Sequence, residues 1–379
     1  MRFFHFLLVI AGVLICSCKN ENNYIQLSNN ITQVELEDIS SDIQLISVKC
    51  SQPMKGISRC YCFGDYDFLL SSDYRTIYCL EGDSITSVLE KYGRGRGEYQ
   101  GINTIAYSVE DSLMYVFDPS LMLIIYKGFD YKLTGIIENL PEFQSMRVVD
   151  KDHLLAACLI RDDNLDAGYG FRLIDTKIGE TSEWLLTMSY LGMVFHNVSD
   201  YYQCGDSTYF SVGNNVVNRI YLYSHGELTT QLEFTYSKEL RFPKRVLIDD
   251  TDNLTDNINA YLTFNDYVKS GNRYCVGANY PIISSDGTRF IFWSFPEGGD
   301  NIMTVISNNQ IDRYHITIPG IAGFVVPNCT SKDYYVVLCE EMKRDEQTDI
   351  GNNTFLADRI FEQIEKNEGN PVLLKFKVK

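Results

Sequence analysis

A calcium loop needs oxygen-bearing side chains at alternate positions, and the stretch Asp162-Asp163-Asn164-Leu165-Asp166-Ala167-Gly168 supplies them at Asp162, Asn164 and Asp166. Two features weaken the match: Ala167 stands where such a loop turns on glycine, and Leu173 where a bidentate glutamate closes it. A solvated acidic loop is the first reading, with Arg161 at its head as a binding candidate, and calcium on the three oxygens is the second. Another candidate is Gly93-Arg94-Gly95-Arg96-Gly97-Glu98-Tyr99, whose alternate glycines suggest a phosphate cradle. It lacks the Lys-Ser/Thr ending of a phosphate loop, and no helix follows to present its N-terminus. The expectation is structural: Glu98 caps loop amides, Tyr99 packs between neighbouring sheets, and Arg94 and Arg96 remain as anion contacts.

Other suggestive groups read as turns. Gly82-Asp83-Ser84 and Gly205-Asp206-Ser207 contain the residues of an esterase nucleophile block but fall at tight hairpin turns. Ser284-Ser285-Asp286-Gly287-Thr288 is one residue too short before its glycine for a sialidase-type Asp-box. His153, His196, His225 and His315 are spread without metal spacing, and only His196, in an innermost strand, is placed to face a central channel.

At the N-terminus, Arg2 precedes an apolar run from Phe3 to Ile15, too short for a mature membrane span and suited to a signal-peptide core. It ends in Ile15-Cys16-Ser17-Cys18, which looks like a bacterial lipobox with Cys18 as the lipidated residue, although Cys16 departs mildly from the usual pattern. Residues 1–17 then form the signal peptide and 18–41 the lipidated cysteine and its tether, polar from Lys19 to about Leu36. The expected place is the cell envelope, by anchoring to the outer membrane. Of eleven cysteines, Cys16 and Cys18 leave nine. Most, including Cys60, Cys62, Cys79, Cys158, Cys275 and Cys339, lie in strand-like runs and are expected as buried thiols. No pair has zinc-knuckle spacing, since Cys60 and Cys62 sit two apart on one strand face.

The elements that must position these residues are strands. A hydrophobic share of 45% with 26 Tyr and 21 Phe favours sheets, and a net charge of −17 argues against nucleic acid. Short alternating runs recur in fours from Ile57, after Ile102, from Gln144, up to Cys204 and onward, and from Ala278. A sixth round has only three strands, Phe324 to Cys329, Tyr334 to Glu340 and Val372 to Val378, while Asp42 to Lys49 is a strand without a partner. Joining them yields a six-bladed β-propeller over residues 42–379, with four-stranded antiparallel blades and closure by strands from both termini. The long connections, 94–100, 161–168, 236–274 and 341–370, all fall on the face opposite the tight hairpin turns. Two of them, 236–274 and 341–370, are expected to carry helices, the second through Phe355-Leu356, Ile360-Phe361 and Ile364.

The lipobox, the Gly93 to Tyr99 joint, the Val116-Phe117-Asp118 strand end and the C-terminal Asn370-Pro371-Val372-Leu373-Leu374-Lys375-Phe376 together resemble the six-bladed β-propeller lipoproteins of Bacteroides-type bacteria. The likeness spans nearly the whole chain, and Arg96 stands where that family usually has proline. It implies the fold and no general activity. The functional expectation is a lipid-anchored binding or scaffold module whose looped face meets a glycan, peptide or protein, through Arg94, Arg96, Glu98, Tyr99, Arg161 and His196. The alternative is a propeller hydrolase or lactonase with a divalent metal in the central channel.

Overall fold

The computed structural model describes residues 25–379 apart from 29, 51–53, 163–164, 190–200, 214–217, 237–277, 295–300, 309, 324, 346–353 and 368. Six four-stranded antiparallel blades, five of them built from consecutive strands, form a ring: a six-bladed β-propeller. Blade 1 is typical, with strands Ile57–Phe63, Tyr66–Ser71, Ile77–Glu81 and Ser84–Leu89 running outward from the axis. Its middle strands are buried on both faces because each blade lies between two others, whereas the outermost strand alternates exposed and half-buried residues. The hairpins between strands are tight. In blade 4, His225 and Gly226 both take positive φ, 51° and 83°, which matches the twist of the flanking strands.

Closure occurs in blade 6 as the sequence implies. The C-terminal strand Val372–Val378 pairs antiparallel with Ser40–Ser47, placing Leu374 opposite Leu45 and Val372 opposite Ser47. The innermost strand of this blade is Cys329–Ser331 rather than the expected Phe324 to Cys329. The Asn328 side chain accepts the Leu338 amide there, taking a bond that the strand ladder would otherwise make.

Residues 25–41 are not a free tether. Ile25–Leu27 adds a parallel fifth strand to the outer edge of blade 4, and Thr32–Glu35 does the same to blade 5. The four-residue helix Leu36–Ile39 then leads into Ser40–Ser47. Leu27 and Leu36 are fully buried, and the Arg313 guanidinium donates to the Ser28 carbonyl. The physical reason is that each outer strand leaves a row of unpaired amides and carbonyls, and the N-terminal segment covers two such rows.

Residues 161–168 are not a long loop either. Strands His153–Asp162 and Leu165–Asp175 continue as a ladder that pairs Leu159 with Tyr169, Arg161 with Asp166 and Asp162 with Leu165, leaving a two-residue link. In the 341–370 insertion, helix Phe355–Lys366 buries Leu356, Ala357 and Ile360 against the core, and Gly369 follows it at φ 83°. The helix expected in 236–274 lies outside the described residues.

Two outcomes test this frame. Leu374→Ala, at a fully buried position of the closing strand, is expected to lower stability by about 2–5 kcal/mol, read from the denaturant midpoint. Deleting residues 25–35 bares the edges of blades 4 and 5, so the chain should keep its far-UV circular dichroism yet self-associate in light scattering; a stable monomer would rule out the edge-covering role.

Candidate functional site

The innermost strands run in the same direction, from the long-connection face to the hairpin face, and enclose a channel. A cavity of about 290 Å³ is walled by all six of them, with Arg59, Cys62, Thr104, Arg147, Tyr201 and Cys329 among its lining. Among the described lining residues none is a carboxylate or an imidazole. In a chain of net charge −17, the charged groups on this wall are two guanidiniums.

Arg147 is the more buried of the two. Its strand, Phe143–Val148, has a register shift between Phe143 and Ser145, after which Arg147 pairs with Leu155 near the hairpin end. The guanidinium donates from Nη1 to the Cys62 carbonyl at 3.0 Å, and from Nε and Nη2 to Gln203 Oε1 at 3.2 and 3.0 Å. Its carbon lies 4.6 Å from the Phe63 ring centroid. Every one of these partners is neutral, and among the described residues no carboxylate pairs with it. Burial lowers its pKa to about 10, so at neutral pH it is a cation, with no counter-ion among the described residues. Arg147 also lines a cavity of about 360 Å³ that opens on the hairpin face, where Glu110, Asp111, Asp150 and Asp206 stand with Lys151 and Lys332. At the opposite mouth, Arg59 donates to the Asn103 carbonyl at 2.9 Å and borders a cavity of about 400 Å³ with Tyr74 and Glu142.

The seam between blades 1 and 6 holds a second constellation. Cys60 and Cys62 project from the same face of the innermost strand of blade 1, and Cys329 comes from blade 6. The three sulfur atoms lie within 4.8 Å of one another, with Cys62 Sγ 3.0 Å from Cys329 Sγ. Behind them Asp67, paired in register with Cys62, forms a buried ion pair with Lys375 of blade 6. Burial, joined by the Cys62 thiol, pushes the Asp67 carboxyl up against the pull of Lys375. Burial likewise pushes Cys62 up to about 12 and Cys329 well above its usual range. Hydrogen bonds from Cys329 and Cys62 outweigh burial at Cys60 and bring it down to about 6. The trio therefore favours one thiolate, on Cys60, at neutral pH.

No family model matches the sequence, and no curated protein matches it. Among solved structures, the chain is similar to a protein from Bacteroides fragilis NCTC 9343 classed as exported, at 12% identity, 94% coverage of this chain and 99% of that one, and a TM-score of 0.64. It is also similar to a DUF4221-family member from Bacteroides vulgatus, at 8% identity, 90% and 98% coverage, and a TM-score of 0.52. The likeness is one of fold.

The residues singled out from sequence do not converge on the channel. Glu98 does cap the joint, accepting the Gly95 amide at 2.7 Å, and a side chain on Gly93 or Gly95 would collide with its carboxylate. Tyr99 is fully buried, donating to the Arg75 carbonyl at 2.7 Å and accepting the Lys91 amide at 3.0 Å. Gly97 sits at φ 77° against Leu133 of the outermost strand of blade 2, so the joint lies on the outer flank of the ring. Arg94 and Arg96 are exposed there and line none of the three cavities described above. Arg161, Asp162 and Asp166 fall on paired strands rather than a loop, while Asn164, His196 and Cys18 lie outside the described residues. Among the other histidines, His153 bonds Asp150 at 2.9 Å and His225 bonds Ser224 at 2.8 Å, both local turn contacts. Sequence reasoning missed Arg147, which sits in an ordinary strand run, and missed that Cys329 joins Cys60 and Cys62. The only sequence signal for the trio was the same-face spacing of the first two.

The thiol arrangement has a measurable consequence. In chelator-treated protein at pH 7, a small alkylating reagent should modify Cys60 ahead of the buried Cys79, Cys158 and Cys339, whose thiols burial raises. The Cys60 rate should fall as pH drops below about 6, where its thiolate is protonated. Peptide mass mapping checks both points, and equal labelling of all four would remove the assignment.

Proposed function

We propose that this chain is an exported, lipid-anchored binding protein that takes an anionic group of a glycan or peptide into the hairpin-face mouth of its channel. The observation that carries the reading is Arg147, a buried guanidinium whose acceptors among the described residues are all neutral, at the floor of an open cavity. Burying a cation without a counter-ion costs several kcal/mol, and an entering carboxylate offsets that cost. The cavity is of the size that small-ligand sites occupy, and Tyr107, Tyr201 and Tyr202 on its wall add flat surfaces with hydroxyl tips. Two solved propellers from Bacteroides species with the same fold, one of them classed as exported, are consistent with a place outside the cytoplasm. This reading moves the binding mouth from the long-connection face, where the sequence directed it, to the face of short turns.

With lipid on Cys18, the seven residue steps to Ile25 span at most about 25 Å. Ile25 is paired on the outer edge of blade 4, so such an anchor would keep that edge within about 25 Å of the membrane.

Calorimetric titration of the chain from Asn22 with an oligogalacturonate, and with a short peptide bearing a free C-terminal carboxylate, tests the reading against the methyl ester of each. The acids should bind and the esters should not, and Arg147→Gln should weaken acid binding by about 10–100-fold, the scale of a charge-assisted hydrogen bond. Equal affinity for acid and ester, or an unchanged Arg147→Gln variant, would overturn it.

A further inference from the structure

We infer that Cys60, Cys62 and Cys329 form a binding site for a divalent, thiophilic d10 cation, zinc being the first choice, that clips blade 1 to blade 6 at the closure of the ring. Three sulfur donors from two blades converge within 4.8 Å of one another. Tetrahedral zinc with bonds of about 2.3 Å sets its sulfurs about 3.8 Å apart, and the observed spacings of 3.0 Å to at most 4.8 Å bracket that value. No imidazole or carboxylate belongs to the group, so the donor set is soft, which selects against calcium and magnesium.

The surroundings favour a divalent ion over a monovalent one. Three thiolates carry three negative charges, with the Lys375 ammonium beside Asp67 and the Arg147 guanidinium as the nearby cations. A divalent cation cancels two of the three, whereas copper(I) would leave twice the residual charge in a buried seam. Asp67 offers a further feature: Oδ2 takes Lys375, while Oδ1 is buried without a hydrogen-bond partner next to the Cys62 thiol. The fourth coordination position is thus open to a water from the channel, which all three cysteines border, or to this carboxylate after a small rotation. The channel also gives the ion its path in. Binding displaces the remaining thiol protons to solvent and requires no oxidant or reductant.

The sulfurs sit on one face of the strand Ile57–Phe63 and the Phe63 ring, with Arg147 stacked on it, on the other. Metal capture thus uses a different strand face from the anion site proposed above, and Arg147→Gln should still take up one zinc per chain, with an affinity changed only through the guanidinium's charge near Cys62 and Cys329.

The test uses the full chain from Asn22, reduced and stripped with a chelator, then titrated with zinc(II) and separately with cadmium(II). Expected are one zinc per chain, a cadmium–thiolate charge-transfer band of the intensity of three sulfurs, and protection of Cys60 from alkylation. Zinc at about a hundred times its Kd should raise Tm by about 4 °C. Cys62→Ser and Cys329→Ser should each weaken zinc binding at least tenfold, and Cys158→Ser, in blade 3, should not. The cadmium band is read on the unmodified chain, so a variant that fails to fold leaves the test intact. Absence of saturable uptake, a band of fewer than three sulfurs, or recovery of a metal-free Cys62–Cys329 disulfide from the native envelope would each overturn the proposal.

Discussion

Everything in this molecule depends on the pairing of Val372–Val378 with Ser40–Ser47. A ring of blades has no hydrophobic face to spare once closed, but an open arc exposes the apolar sides of its first and last blades and two sheet edges. The closing strand meets those needs together, since Val372, Leu373, Leu374 and Phe376 are fully buried and face blades on both sides. Its contacts join residues more than three hundred positions apart, so the entropy of bringing the ends together is offset only late in folding. The parallel strands Ile25–Leu27 and Thr32–Glu35 extend the same logic around the outside, covering edges on the way to the closure point.

Because the ring is closed, its axis becomes a place where charge can be kept from water. The exterior is strongly acidic, yet the described channel wall presents Arg59 and Arg147 and no acid. Arg147 stays there through three hydrogen bonds to neutral oxygens and the face of Phe63, which offset part of its lost hydration without neutralising it. A cation in that state is what the proposed anion would neutralise, and to reach it the anion passes a mouth where Glu110, Asp111, Asp150 and Asp206 outnumber Lys151 and Lys332.

The seam between blades 1 and 6 is where closure and chemistry coincide. The Asp67–Lys375 pair crosses it, and truncating either partner would leave the other buried and unanswered. The three thiols lie alongside, in the same apolar cluster as Leu69, Val336 and Leu373. A seam built this way is specific about which blades meet, because among the described residues this junction alone matches a buried carboxylate to an ammonium and two sulfurs to a third.

What the sequence determined by itself was periodic and local. Fours of short alternating runs implied the blades, the strand before Lys49 without a neighbour implied the closure, and Phe355, Ile360 and Ile364 implied a helix. The Gly93 to Tyr99 joint was legible for the same reason, since glycine spacing and a capping acid act within one turn of chain. The N-terminal edge strands were not legible, because three or four residues carry no usable period and their partners lie two hundred or more positions away. Nor was the hairpin through 161–168, where acidic letters suggested a loop and pairing with the opposite strand prevailed. Arg147 and the cysteine trio belonged wholly to the tertiary structure. A strand shows only which face a side chain takes, and it is the ring that decides which faces meet across the axis and across each seam.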